Sequence, residues 1–104
     1  MFCRIATGEI PADFVYRDEE VLVFKTIKPA AKTHLLFVPR SHVDDLPQLP
    51  DRVLLKIREK MTEVINGDNL GNRGYRIVIN GGTAKAIPHL HFHLLSPISV
   101  AEKV

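Results

Sequence analysis

The segment His89-Leu90-His91-Phe92-His93-Leu94-Leu95 sets three histidines alternately with apolar residues. In an extended strand, alternate side chains leave the same face, about 6.6–6.8 Å apart per two residues. One face of such a strand is imidazole, and the other, formed by Leu90, Phe92 and Leu94, points into a core. Three chemistries compete for this pattern. A solvated His-rich face is the blandest, and strand propensity alone does not choose histidine three times. A metal site is the second, since neutral imidazole is the commonest zinc ligand. It would need further ligands from His34, His42 and Cys3, and no paired cysteine or well-spaced carboxylate accompanies them. The third is nucleophilic or acid–base catalysis on an anionic substrate. Neutral imidazole is nucleophilic near pH 7, with an unperturbed pKa of about 6.5. Flanking imidazoles supply hydrogen bonds to phosphoryl oxygens. The turn Asn80-Gly81-Gly82 adds backbone amides of the kind that cradle phosphate. Spacing favours phosphoryl chemistry over metal.

Other elements must position this run. Phe14–Arg17 and Val21–Lys25, separated by Asp18-Glu19-Glu20, predict a hairpin. Lys28-Pro29-Ala30-Ala31-Lys32 reads as a loop. His34–Pro39 is a nearly continuous apolar run, which predicts a strand covered on both faces. Val53, Leu54, Ile57, Met61, Val64 and Ile65 recur at helical spacing, with Arg52, Lys56, Glu59, Lys60 and Glu63 mostly opposite. Pro50 or Asp51 starts this helix, and Asn66-Gly67 is expected to stop it because Gly accepts the left-handed conformation. Tyr75–Asn80 and His89–Leu95 are the last strands, closed by Ser96-Pro97. Short connections between paired strands predict an α+β fold, an antiparallel sheet carrying one main helix.

The chain has 104 residues, 45% of them hydrophobic and 25% charged, which suits one domain spanning 1–104. Lys plus Arg number 14 against 12 Asp plus Glu, so the charge balance gives no reason to expect nucleic-acid or membrane partners. Cys3 is the sole cysteine, and no intrachain disulfide forms. No apolar run suits a signal peptide or a membrane span, so the expectation is a cytoplasmic protein.

His-x-His-x-His-x-x with apolar x resembles the signature of the histidine triad (HIT) family of nucleotide hydrolases and transferases. Phe2–Pro11, His34–His42 and Gly74–Asn80 resemble other segments of that family, in its order, so the likeness runs almost end to end. It is most similar to the Hint-like purine nucleoside phosphoramidases. The resemblance implies a HIT-like fold of about five antiparallel strands, one main helix and a short N-terminal helix. It implies that His91 attacks the α-phosphate, forming a nucleotidyl-histidine that water then hydrolyses. His89, with His34, would align the site, and His93 would contact the phosphate or the departing group. Asn80 matches the family's asparagine beside the phosphate. Phe14, Val23, Phe24 and Ile27 would make a base pocket. The substrate would be a purine nucleotide, no metal or other cofactor is needed, and two copies would dimerise through sheets and central helices.

Each carry-over has a bland counterpart. His34 could be a partly buried, hydrogen-bonded residue, His42 a turn residue or structural contact, Asn80 a strand terminator and Cys3 a small hydrophobe. The family sometimes places a zinc-binding Cys pair at the N-terminus, but Met1 stands where the other cysteine would be.

Two departures bear on activity. Thr26 stands where many members carry an acidic residue for the ribose hydroxyls. The loop before the triad reads Thr83-Ala84-Lys85-Ala86-Ile87-Pro88, about two residues short by ungapped count and without the family's Gly-Gln-Ser/Thr element. Ala86 has no hydroxyl, while Lys85, Thr83 or Gly82 could contact phosphate instead. The expectation is altered or slower turnover, the alternative a nucleotide-binding or regulatory protein.

Overall fold

The computed structural model describes residues 12–84 and 87–100. Five strands form one antiparallel sheet in the order β1-β2-β3-β5-β4. They are β1 (Phe14–Arg17), β2 (Val21–Lys25), β3 (Thr33–Pro39), β4 (Arg76–Ile79) and β5 (Phe92–Ser96), with one long helix, α1 (Asp51–Gly67), between β3 and β4. The expected N-terminal helix, Cys3, Lys85 and Ala86 lie outside the described residues.

The hairpin forms because Asp18 makes its turn: Oδ1 accepts the N–H groups of Glu20 at 2.7 Å and Val21 at 2.8 Å. The same carboxylate accepts from Tyr16 Oη at 2.6 Å and pairs with Lys56 of α1 at 3.2 Å. Burial works against the Asp18 charge, but these donors hold its carboxyl well below the usual range. Lys60 completes the link, its ammonium 4.0 Å from the centre of the Tyr16 ring.

The strands β2 and β3 are buried on both faces, as their apolar continuity predicts. On one side Val21, Val23, Leu35, Phe37, Phe92 and Leu94 pack under Val53, Ile57 and Met61 of α1. On the other, Leu22, Phe24, Leu36 and Val38 gather Phe14, Ala12 and Ile87. Cross-strand pairing puts His93 opposite Leu36 and Val78, on this second face. The sheet is thus a partition, with the structural core behind it and the histidines in front.

Several boundaries differ from expectation. The last strand starts at Phe92 rather than His89, because Leu90 N–H bonds to Val43 O at 2.7 Å and His89 N–H to Ile87 O at 2.8 Å, outside the ladder. Tyr75 and Asn80 flank β4 without joining it. Gly67 is helical, and the left-handed residue is Asn69, with φ 56°. Asn tolerates that region, so the left-handed conformation falls two residues beyond Gly67, while the helix itself ends at Gly67 as expected. Leu54 is exposed, outside the stripe of Val53, Ile57 and Met61 that the helix buries.

A candidate active site of four histidines

His91 is 8% exposed, and its Nδ1 lies 2.9 Å from the carbonyl oxygen of His89. A carbonyl only accepts, so Nδ1 carries the proton and, in the neutral ring, Nε2 carries the lone pair. His93 is placed by a longer relay. The backbone N–H of Ala30 donates to His34 Nδ1 at 3.0 Å, so that nitrogen is unprotonated. The proton of His34 therefore sits on Nε2, which donates to His93 Nδ1 at 2.8 Å. His93 in turn holds its proton on Nε2. Its ring meets that of His91 edge-on, with centroids 4.9 Å apart. The backbone thus assigns a lone pair to one ring of the pair and a donor to the other.

The assignment requires neutral rings. Burial, then the neighbouring His91 and His34, pushes the His93 pKa down to about 4. Burial also lowers His34. His89 is lowered chiefly by burial and secondarily by His42 and His91, against the opposing hydrogen bond it donates to Pro39 O. Near pH 7 these three are uncharged imidazoles.

His34 acts at a different point of the site from His89. It bonds to His93, while His89 donates from Nε2 to Pro39 O at 3.0 Å and packs edge-on against His42, centroids 5.0 Å apart. The cause is register: His34 pairs with Leu95, on the same face as His93 two residues earlier. Leu90, Phe92 and Leu94 do point into the core beneath α1, as their alternation predicts.

The apolar residues divide as the pleat requires. Phe24 is buried on the histidine side, edge-on to Phe14 at 5.9 Å. Val23 faces α1, and Ile27 is 88% exposed, so neither lines that cluster. Thr26 lies at the exit of β2, where its Oγ1 accepts the N–H of Lys28 at 3.4 Å and its own N–H bonds to His34 O at 3.3 Å. Asn80 is exposed at the end of β4. Gly82 N–H donates to Asp45 Oδ2 at 2.8 Å, so an amide expected to cradle phosphate is engaged by a carboxylate. A groove of about 470 Å³ opens on the helix side, between Val15, Lys25, Leu35 and Val64, and meets the histidines only through His34. Among the described residues no group of three His, Cys, Asp or Glu side chains is arranged to hold a metal ion.

Sequence reasoning assigns His42 to a turn or a structural contact and gives Asp45 no part in the site. Their signal was present: His42 with an acidic residue two places on (Nε2 to Asp44 Oδ1 is 2.6 Å), and Asp45 before Leu46-Pro47 as a cap.

Residues 7–99 match the HIT domain family. The chain belongs to that family. An uncharacterized HIT-like protein of Methanocaldococcus jannaschii is 42% identical, the match covering 91% of this chain and 76% of that protein. Protein HitA of Neisseria gonorrhoeae is 39% identical over 91% of this chain and 92% of its own. Among solved structures, a HIT family hydrolase from Legionella pneumophila superposes with TM-score 0.87 at 34% identity, covering 97% of this chain and 95% of that one. A histidine triad protein from Clostridium difficile gives TM-score 0.86 at 32% identity, covering 99% and 94%. The HIT domain neighbours share the five-stranded antiparallel sheet and single long helix.

Proposed function

We propose that this HIT domain is a nucleotide hydrolase of the Hint-like branch, acting on a purine nucleoside phosphoramidate or a related nucleotide through His91. The observation that carries the reading is the paired assignment of protons: a lone pair on His91 Nε2 beside a fixed N–H donor on His93. Phe14, Phe24, Leu36 and Ile87 supply an apolar surface for the base on the same face. In the first step His91 Nε2 attacks the α-phosphorus, an N–P bond forms and the bond to the leaving group breaks. An amine leaving group carries away a proton from solvent. His91 passes its developing positive charge to Nδ1–H, which the His89 carbonyl already accepts. His93 Nε2–H bonds a phosphoryl oxygen, joined by Asn80 and Lys85. Water then attacks phosphorus, the N–P bond breaks, the nucleoside monophosphate leaves and the water's proton goes to solvent.

A second reading, nucleotide binding with weak turnover, draws on Thr26. Its hydroxyl is turned to Lys28 N–H and offers no bidentate grip on a ribose diol. Intact-protein mass spectrometry with adenosine 5′-phosphoramidate, comparing wild type with His91→Ala and following free AMP, separates the two. An AMP adduct or AMP release that vanishes in the variant supports catalysis. Binding without adduct or release moves the reading to a binding protein.

A further inference from the structure

The segment 42–45 touches the run that begins at His89 twice and the turn after Asn80 once. The His42 ring packs on His89, and Val43 O accepts Leu90 N–H at 2.7 Å. Asp45 divides its carboxylate between two stretches of backbone: Oδ1 accepts Leu46 N–H at 2.8 Å and Oδ2 accepts Gly82 N–H at 2.8 Å. Gly82 lies two residues beyond Asn80 and opens the tight helical turn Gly82–Ala84 that leads towards the triad. The carboxylate explains Gly81, and the backbone of the turn explains Gly82. Gly82 takes φ 55°, and a Cβ at Gly81 would come within 2.9 Å of Asp45 Oδ1. Gly81 is therefore the position that leaves room for the Asp45 side chain.

We propose that Asp45 is a positioning residue for the reaction: it staples the turn after Asn80 to segment 42–45, which in turn packs on His89 through His42 and bonds Leu90 through Val43. This inference rests on the hydrolase reading. The short loop before the triad lacks the Gly-Gln-Ser/Thr element, and its entry is instead held from outside by a charge-assisted hydrogen bond. Phosphate-binding groups on this loop act only if the loop is held in register with His91, and small misplacements of such groups cost much of the rate. The base-side cluster of Phe14, Phe24 and Leu36 lies on other strands, so the staple bears on the chemical step more than on base binding.

The test measures amide hydrogen exchange at Gly82 together with kcat and KM for adenosine 5′-phosphoramidate, in wild type, Asp45→Ala and Asp45→Asn. In Asp45→Ala, exchange at Gly82 should rise about tenfold while core amides of β2 and β3 stay protected. Its kcat should fall about tenfold to hundredfold, with KM nearly constant. Asp45→Asn keeps an acceptor oxygen and should lie between the two in both readouts. Unchanged exchange at Gly82, unchanged kcat, or exchange rising uniformly across the core as kcat falls would each overturn the staple while leaving the hydrolase reading intact. A wild type with no turnover at all sinks the hydrolase reading, and this proposal with it.

Discussion

At the scale of single residues, the unusual feature is how little freedom the imidazole protons have. Ala30 N–H fixes His34, His34 fixes His93, and the His89 carbonyl fixes His91. Replacing His34 with Phe removes the donor to His93 Nδ1 and lets that ring take either tautomer. The expected result is a kcat lower by about tenfold to hundredfold, with a ¹⁵N spectrum of His93 showing mixed tautomers in place of Nε2–H alone. These neutral histidines also make stability depend on pH. His93 has a folded pKa of about 4, and His34 and His89 are lowered as well, so the unfolded chain binds more protons than the folded one below the ordinary histidine value. Their contribution is fully present above about pH 6.5 and is lost as pH falls towards 4. Urea midpoints should drop across that interval, and His93→Gln should flatten the drop; an unchanged slope in the variant would refute the assignment.

At the scale of elements, α1 holds the rear of the sheet and the Asp18 turn ties the hairpin to it. Ile57 is fully buried against the sheet, and Ile57→Ala should cost about 2–5 kcal/mol in denaturant unfolding. Asp18→Asn weakens several bonds at once, to Tyr16, Lys56 and the turn amides, and should cost about 1–3 kcal/mol. Neither residue is on the histidine face, so kcat of the folded protein should change little in both variants. These elements were legible from the sequence because each follows from local rules. Helical spacing marks α1, Asp before Glu-Glu marks the turn, and unbroken apolar runs mark β2 and β3. The boundaries were less legible, since the start of β5 depends on Leu90 bonding to Val43, a residue far away in the chain.

At the scale of the whole molecule, β4 is an edge of the sheet and presents Ile77 at 45% exposure beside Tyr75 at 43%. Leu55 of α1 is 64% exposed. Antiparallel edge pairing between two copies would cover the strand, and an apolar edge strand invites such pairing. We propose a homodimer joined there; Ile77→Glu should convert the species seen in sedimentation from dimer to monomer, and wild type sedimenting as monomer would refute it. No described helix is long and apolar enough to cross a membrane. The sequence by itself determined the α+β fold, the His-x-His-x-His alternation and the faces of Leu90, Phe92 and Leu94, because these depend on periods of two and of 3.6 residues. Only the tertiary structure decided that His34 bonds to His93, that Val23 and Ile27 leave the apolar cluster on the histidine face, and that Asp45 meets Gly82. Those pairings arise from strand register and from loops crossing between distant segments, and a hydrogen bond between residues 37 positions apart leaves no period in the chain.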